Sequence, residues 1–188
     1  FGELNITPRV EERLAELGYT PEELQEAVSQ HKSGCDGEPS VYVGTYGKYN
    51  DGSLCGLWID LSSFNSYDDF IEFCQAIHAD EEDPELMAQD YEGFPRQWYN
   101  EGFMSEEDFD HIKEYTEMCD KHSVEAVDDY MELHDDLDDF EEAYCGEWDS
   151  EEDFARHIVD ECYDLERTMG NLAQYFDYEA FGRELFMW

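Results

Sequence analysis

Positive charge is what this sequence has least of: ten Lys and Arg stand against 51 Asp and Glu, a formal net charge of -41 over 188 residues. Such a chain is repelled by nucleic acid and by anionic membrane surfaces, so its partners are basic proteins or cations. No apolar run approaches the roughly 18 residues of a membrane span, no charged-then-apolar leader precedes the first element, and the start at Phe1 reads as a trimmed chain. The six cysteines, Cys35, Cys55, Cys74, Cys119, Cys145 and Cys162, form no CxxC pair and no dense spacing. They read as reduced thiols of a cytoplasmic protein rather than as a disulfide framework. A glycine-rich phosphate loop and a Gly-x-Ser-x-Gly elbow are also missing.

Metal chemistry finds no grammar either. An EF-hand counted from Asp136 puts Phe140 at position 5, and one counted from Asp149 puts Phe154 at position 6, where the sharp turn needs glycine. Asp108-x-x-His111 is the single match to a di-iron pattern that requires two Glu-x-x-His pairs, and the six histidines do not cluster with cysteines. Paired carboxylates carry no signal where any two of 51 acids could converge. The expectation is a protein without metal, cofactor or catalysis, leaving a binding function.

Aromatic residues are abundant at 15%, which separates this chain from acidic disordered tails. Thr7-Pro8 and Thr20-Pro21 each place a capping hydroxyl before a proline at a helix start, so residues 1–40 read as a helical hairpin, with Val10, Leu14 and Leu17, then Leu24, Ala27 and Val28, as its apolar stripes. Val41–Val43 and Leu54–Leu61 read as a β-hairpin turning through Gly47–Gly52; Ser66 caps a helix faced by Phe70, Ile71, Cys74 and Ile77; Leu86–Tyr91 returns as a third strand. Residues 41–103 thus form a small α+β module.

From Glu106 to Glu166, 26 acids face three bases, Lys113, Lys121 and Arg156. Ser105, Ser123 and Ser150 open helices whose inner faces are Phe109, Ile112, Tyr115 and Cys119, then Val124, Val127, Met131, His134 and Leu137, then Phe154, Ile158, Cys162 and Leu165. His134 reads as a core or interface histidine. Residues 104–145 make an acidic helical module, and 146–188 a C-terminal module whose aromatic end calls for burial or a subunit contact. The fold class is α+β throughout.

Duplex DNA carries one charge per about 1.7 Å, so 41 charges match on the order of 70 Å, or about 20 base pairs. A halophile-like surface would spread its acids evenly, whereas half of these fall in one third of the chain.

Four ordered blocks now carry a resemblance: Val41-Tyr42-Val43-Gly44-Thr45-Tyr46-Gly47 onward to Asp60, Asp90-Tyr91-Glu92-Gly93-Phe94-Pro95, Phe140 to Ser150, and Tyr175 to Arg183. Together they are similar to the ArdA antirestriction proteins over residues 41–188. Residues 1–40 lie outside that pattern, and the family usually continues past Phe186 into a final strand, so the chain reads as cropped. The resemblance implies an elongated chain of small modules, the last of them α/β, that mimics bent B-form DNA. It implies a homodimer from a mobile element that occupies the DNA groove of type I restriction-modification enzymes, on their methyltransferase and specificity subunits, inhibiting restriction and modification. The acids expected to form the mimic surface are Asp128, Asp129, Asp135, Asp136, Asp138, Asp139, Glu141, Glu142, Glu147, Asp149, Glu151 and Glu152. The other class of function compatible with the charge is an acidic adaptor or sink for basic proteins, without DNA-like geometry.

Overall fold

Hydroxyl side chains open most helices of the computed structural model, which describes residues 4–20, 22–23 and 38–187. The second helix of the expected N-terminal hairpin is described only at Glu22 and Glu23, where Thr20 and Glu23 exchange the bonds of a capping box; Leu24, Ala27 and Val28 fall outside these residues, as do His31 and Cys35. Thr7 caps α1 (Pro8–Glu16), Ser66 caps α3 (Tyr67–Ile77), Ser105 caps α4 (Glu106–Lys121), Ser123 caps α5 (Val124–Met131) and Ser150 caps α7 (Glu151–Cys162), each accepting from an amide in the first turn. Those amides have no intrahelical acceptor, so every cap satisfies a donor that would otherwise be left over. At Ser105 the bond is reciprocated by Asp108, a full capping box. The chain divides into two compact units, Phe1–Phe140 and Glu141–Trp188.

In the first unit, β1 (Ser40–Thr45) lies between β2 (Leu57–Asp60) and β3 (Leu86–Glu92), antiparallel to both. Val41 faces Ile59 on one side and Tyr91 on the other, and the register shifts between Tyr42 and Val43 against β3. Being paired along both edges, β1 is buried from end to end. The three strands arise where the sequence places them, but their first connection does not. Instead of a tight turn, Thr45 accepts from the Lys48 amide and starts a short helix, α2 (Tyr46–Asn50); of the Gly47–Gly52 stretch only Gly52 takes positive φ. β2 is correspondingly shorter than Leu54–Leu61. Helix α3 buries Phe70, Phe73, Cys74, Ala76 and Ile77, while Ile71 is half-buried. Phe70 stacks between Phe103 and Phe109 at centroid distances of 5.7 Å, tying α3 to α4. Helix α1 packs on α3 with Val10 and Leu14 fully buried and the Tyr19 ring 4.9 Å from Phe73, while Leu17, expected on the same stripe, caps the helix end and is exposed; the described part of the N-terminal extension thus belongs to this core.

One buried polar cluster sits beneath β1. The Lys48 ammonium donates to His78 Nδ1 at 2.9 Å and to Asp80 at 2.8 Å, which leaves His78 Nε2–H to donate to the Val43 carbonyl at 3.2 Å. Burial first, and the Lys48 charge second, hold the imidazole neutral down to about pH 4. The unfolded chain protonates this histidine near its ordinary 6.5, so its contribution to stability is present above that value and is lost as pH falls toward about 4. The gap is worth about 3 kcal/mol. Urea denaturation should therefore show the native protein losing about 2 kcal/mol more than His78→Gln between pH 7.5 and 4.5; parallel pH profiles would contradict this assignment.

The second unit holds α7 (Glu151–Cys162), α8 (Leu165–Met169), a 3-10 segment Gly170–Tyr175 and α9 (Tyr178–Leu185). Among its described residues no strand forms, so the β part of the α/β module implied by the resemblance is not supplied by them. Helices α7 and α9 meet at Gly182, where an added Cβ would lie 2.4 Å from the Glu151 carbonyl oxygen. This contact explains why α7 buries Ala155 and Val159, while Phe154, Ile158 and Leu165 are half-buried and Cys162 is exposed, contrary to the expected inner face. Ala155 lies one turn beyond Glu151 on the face that meets Gly182, and only small residues fit there. Gly182→Ala should cost this unit about 2 kcal/mol through overpacking, seen as faster hydrogen exchange in α7 and α9. The aromatic end is buried only in part: Phe176 and Phe181 are half-buried 5.5 Å apart, whereas Leu172, Tyr175, Phe186 and Met187 are exposed.

Candidate functional site

Residues 122–155 contain fifteen acids and no Lys or Arg, and apolar anchors decide where those acids point. On α5, Val127 and Met131 are buried while Glu125, Asp128, Asp129 and Glu132 are exposed. The helix then stops. The spacing of Leu137 after His134 and Met131 reads as a longer helix, but after α5 the chain turns, and only Phe140–Ala143 (α6) is helical again. Four aspartates in five residues favour that outcome, because Asp side chains compete for backbone amides, and the Asp138 amide donates to Asp136 Oδ1 at 3.2 Å. His134 is correspondingly exposed and stacks on Tyr130 at 4.0 Å, not in the core.

The turn is held from below. Leu137 is 3% exposed and Phe140 2%, and Phe140 meets the edges of Tyr130 and His122 at 5.3 and 5.1 Å. Gln97 donates to the Asp135 carbonyl at 3.4 Å. Asp135, Asp136, Asp138 and Asp139 flank Leu137 and all four are exposed. Their field reaches Tyr130: after desolvation, the charges of Asp139, Asp136 and Asp138 push its phenol above the ordinary value. The cluster is thus mounted on buried anchors although it is not helical.

In the second unit Glu141, Glu142, Glu147, Asp149 and Glu151 are exposed, and Glu152 is half-buried, paired with Arg156 at 2.6 Å. All six sequence-named acids of the first unit, Asp128, Asp129, Asp135, Asp136, Asp138 and Asp139, are exposed as well. Glu152 is limited by Arg156, and Asp128 by the Tyr115 hydroxyl, from which its Oδ1 accepts at 2.7 Å. Burial first, and that bond second, push the Tyr115 phenol well up. Glu38 and Asp120, exposed acids that line one cavity together with Asp128, are absent from the sequence-named set. They come from the strand entrance and from α4, a convergence that spacing along the chain cannot signal.

Several of the few cations are engaged inside the chain. Arg13, Arg156 and Arg183 each hold a carboxylate of their own helix, Lys48 is enclosed with Asp80, Lys113 donates to the Phe64 carbonyl, and Arg96 lies over Tyr91 and Tyr99. Among the described residues no group of three or more His, Cys, Asp or Glu side chains is placed to hold a metal ion, and no helix is long and apolar enough to cross a membrane. What the surface offers is negative charge on a fixed base.

Comparison with known proteins bears on what that charge serves. A family model described as antirestriction protein (ArdA) matches residues 41–188. The comparisons with curated proteins and with solved structures gave no match.

Proposed function

Because the chain belongs to the ArdA antirestriction family, we propose that it blocks restriction as a DNA mimic, its carboxylates replacing phosphates in the DNA-binding groove of a type I restriction-modification enzyme. It acts by occupancy, not catalysis, in the cytoplasm where such enzymes meet DNA, and as a homodimer. The observation that carries this reading is the run of exposed acids from Asp128 to Asp139, free of Lys and Arg and supported on Leu137 and Phe140. Charge pinned to a buried base keeps its layout when a partner approaches, which a solvated tail does not. The mimic surface proposed is Asp128, Asp129, Asp135, Asp136, Asp138, Asp139, Glu141, Glu142, Glu147, Asp149, Glu151 and Glu152.

An acidic sink would show the same net charge but no preference among cationic proteins. Binding to a type I methyltransferase core and to histone at equal ionic strength separates the two. Mimicry predicts a preference of at least a hundredfold for the core; comparable affinities would reduce the protein to a sink.

A further inference from the structure

We infer that the cavity between α4, α5 and the ends of the sheet is a socket for one arginine side chain of the basic partner; the inference rests on the reading above that such a partner exists. The cavity holds about 570 Å³, within the range of sites that enclose small groups. Tyr115, Thr116, Cys119 and Asp120 of α4 line it together with Val124 and Asp128 of α5. Pro39 at the start of the sheet and Phe94 just past β3 close it with buried apolar surface, and Glu38 stands on its rim.

Three features select the occupant. The described lining includes three carboxylates, Glu38, Asp120 and Asp128, and no Lys or Arg, so an anion is repelled and an apolar group would desolvate charges without compensating them. The Tyr115 hydroxyl fixes one oxygen of Asp128, orienting that carboxylate at the wall while the residue stays exposed. Val124 is 52% exposed although it opens the apolar stripe of α5, so an aliphatic surface lies beside the acids. A long stem covering Val124 and Phe94, with a planar cation that takes carboxylates two oxygens at a time, is the chemistry of arginine. Asp128 thus belongs both to the distributed mimic surface and to this discrete contact, which Glu38 and Asp120 complete.

The test pairs two double substitutions of equal charge. Asp120→Asn with Asp128→Asn alters the socket, and the amide oxygen introduced at position 128 can still accept from Tyr115; Asp110→Asn with Glu117→Gln removes two exposed acids of α4 outside the cavity. In displacement of duplex DNA from a type I methyltransferase core, the socket pair should weaken competition at least tenfold and the control pair less than threefold. Equal losses overturn the socket and leave mimicry standing, whereas a native protein that displaces nothing counts against mimicry itself. A second measurement needs no enzyme. Titration with N-acetyl-arginine amide should move the amide signals of Thr116, Cys119 and Val124 in the native protein, and not in the socket pair; unmoved signals in the native protein overturn the inference.

Discussion

Replacing Asp128, Asp129, Asp135, Asp136, Asp138 and Asp139 together by Asn should lower affinity for a type I methyltransferase core by at least a hundredfold, whereas Asp136→Asn alone should lower it less than about fivefold. The asymmetry follows from exposure. Each of these side chains faces solvent, where a single ion pair is worth under about 1 kcal/mol, or less than about fivefold. Six such contacts at about half a kcal/mol each already reach about 3 kcal/mol, which is on the order of a hundredfold. Asn preserves the local bonds, since it still accepts from the Asp138 amide at position 136 and from Tyr115 at position 128. Removing like charges should also raise the melting temperature, so lost affinity with a higher Tm identifies lost recognition and not unfolding. A single Asp136→Asn change that abolished binding would overturn the distributed picture.

Salt provides the second large effect. Raising it from 50 to 200 mM should weaken the complex by on the order of a hundredfold, because the basic groove that releases its anions to admit the acids must release them into a more concentrated solution, and the Debye length shortens. The same increase should stabilise the free protein, whose net charge of -41 repels itself. Affinity and stability moving in opposite directions with one variable is a signature that an apolar interface does not produce. Affinity unchanged across that range would place the binding energy in contacts other than the carboxylates.

Local chemistry made much of this fold legible. Thr7, Ser66, Ser105, Ser123 and Ser150 cap helices where the sequence places them, because a cap depends on residues within one turn. The first two strands were equally visible in their Val, Tyr, Trp and Ile, whereas the third, Leu86–Glu92, offered Tyr91 as its one strong strand former. The helix Tyr46–Asn50 was hidden, since its glycine and asparagine read as a turn and only the Thr45 cap reveals it. The buried face of Glu151–Cys162 was misplaced because the deciding contact, Gly182 against the Glu151 carbonyl, comes from a helix nearly thirty residues further on.

The candidate site divides the same way. That Asp128 to Asp139 would be exposed could be read from charge alternating with Val127, Met131 and Leu137. That Asp135 to Asp139 would ride on a turn could not, because Leu137 keeps helical spacing with Met131 and His134 while losing helical geometry. The cavity of Glu38, Asp120 and Asp128 was invisible, being assembled from three separate elements.

The central claim is that these acids occupy the place of DNA. The most direct measurement adds the protein to a preformed complex of a type I methyltransferase core with a labelled duplex and follows both the label and the complexes formed. Mimicry predicts stoichiometric release of the duplex and mutually exclusive complexes; a ternary assembly of enzyme, duplex and protein would contradict it.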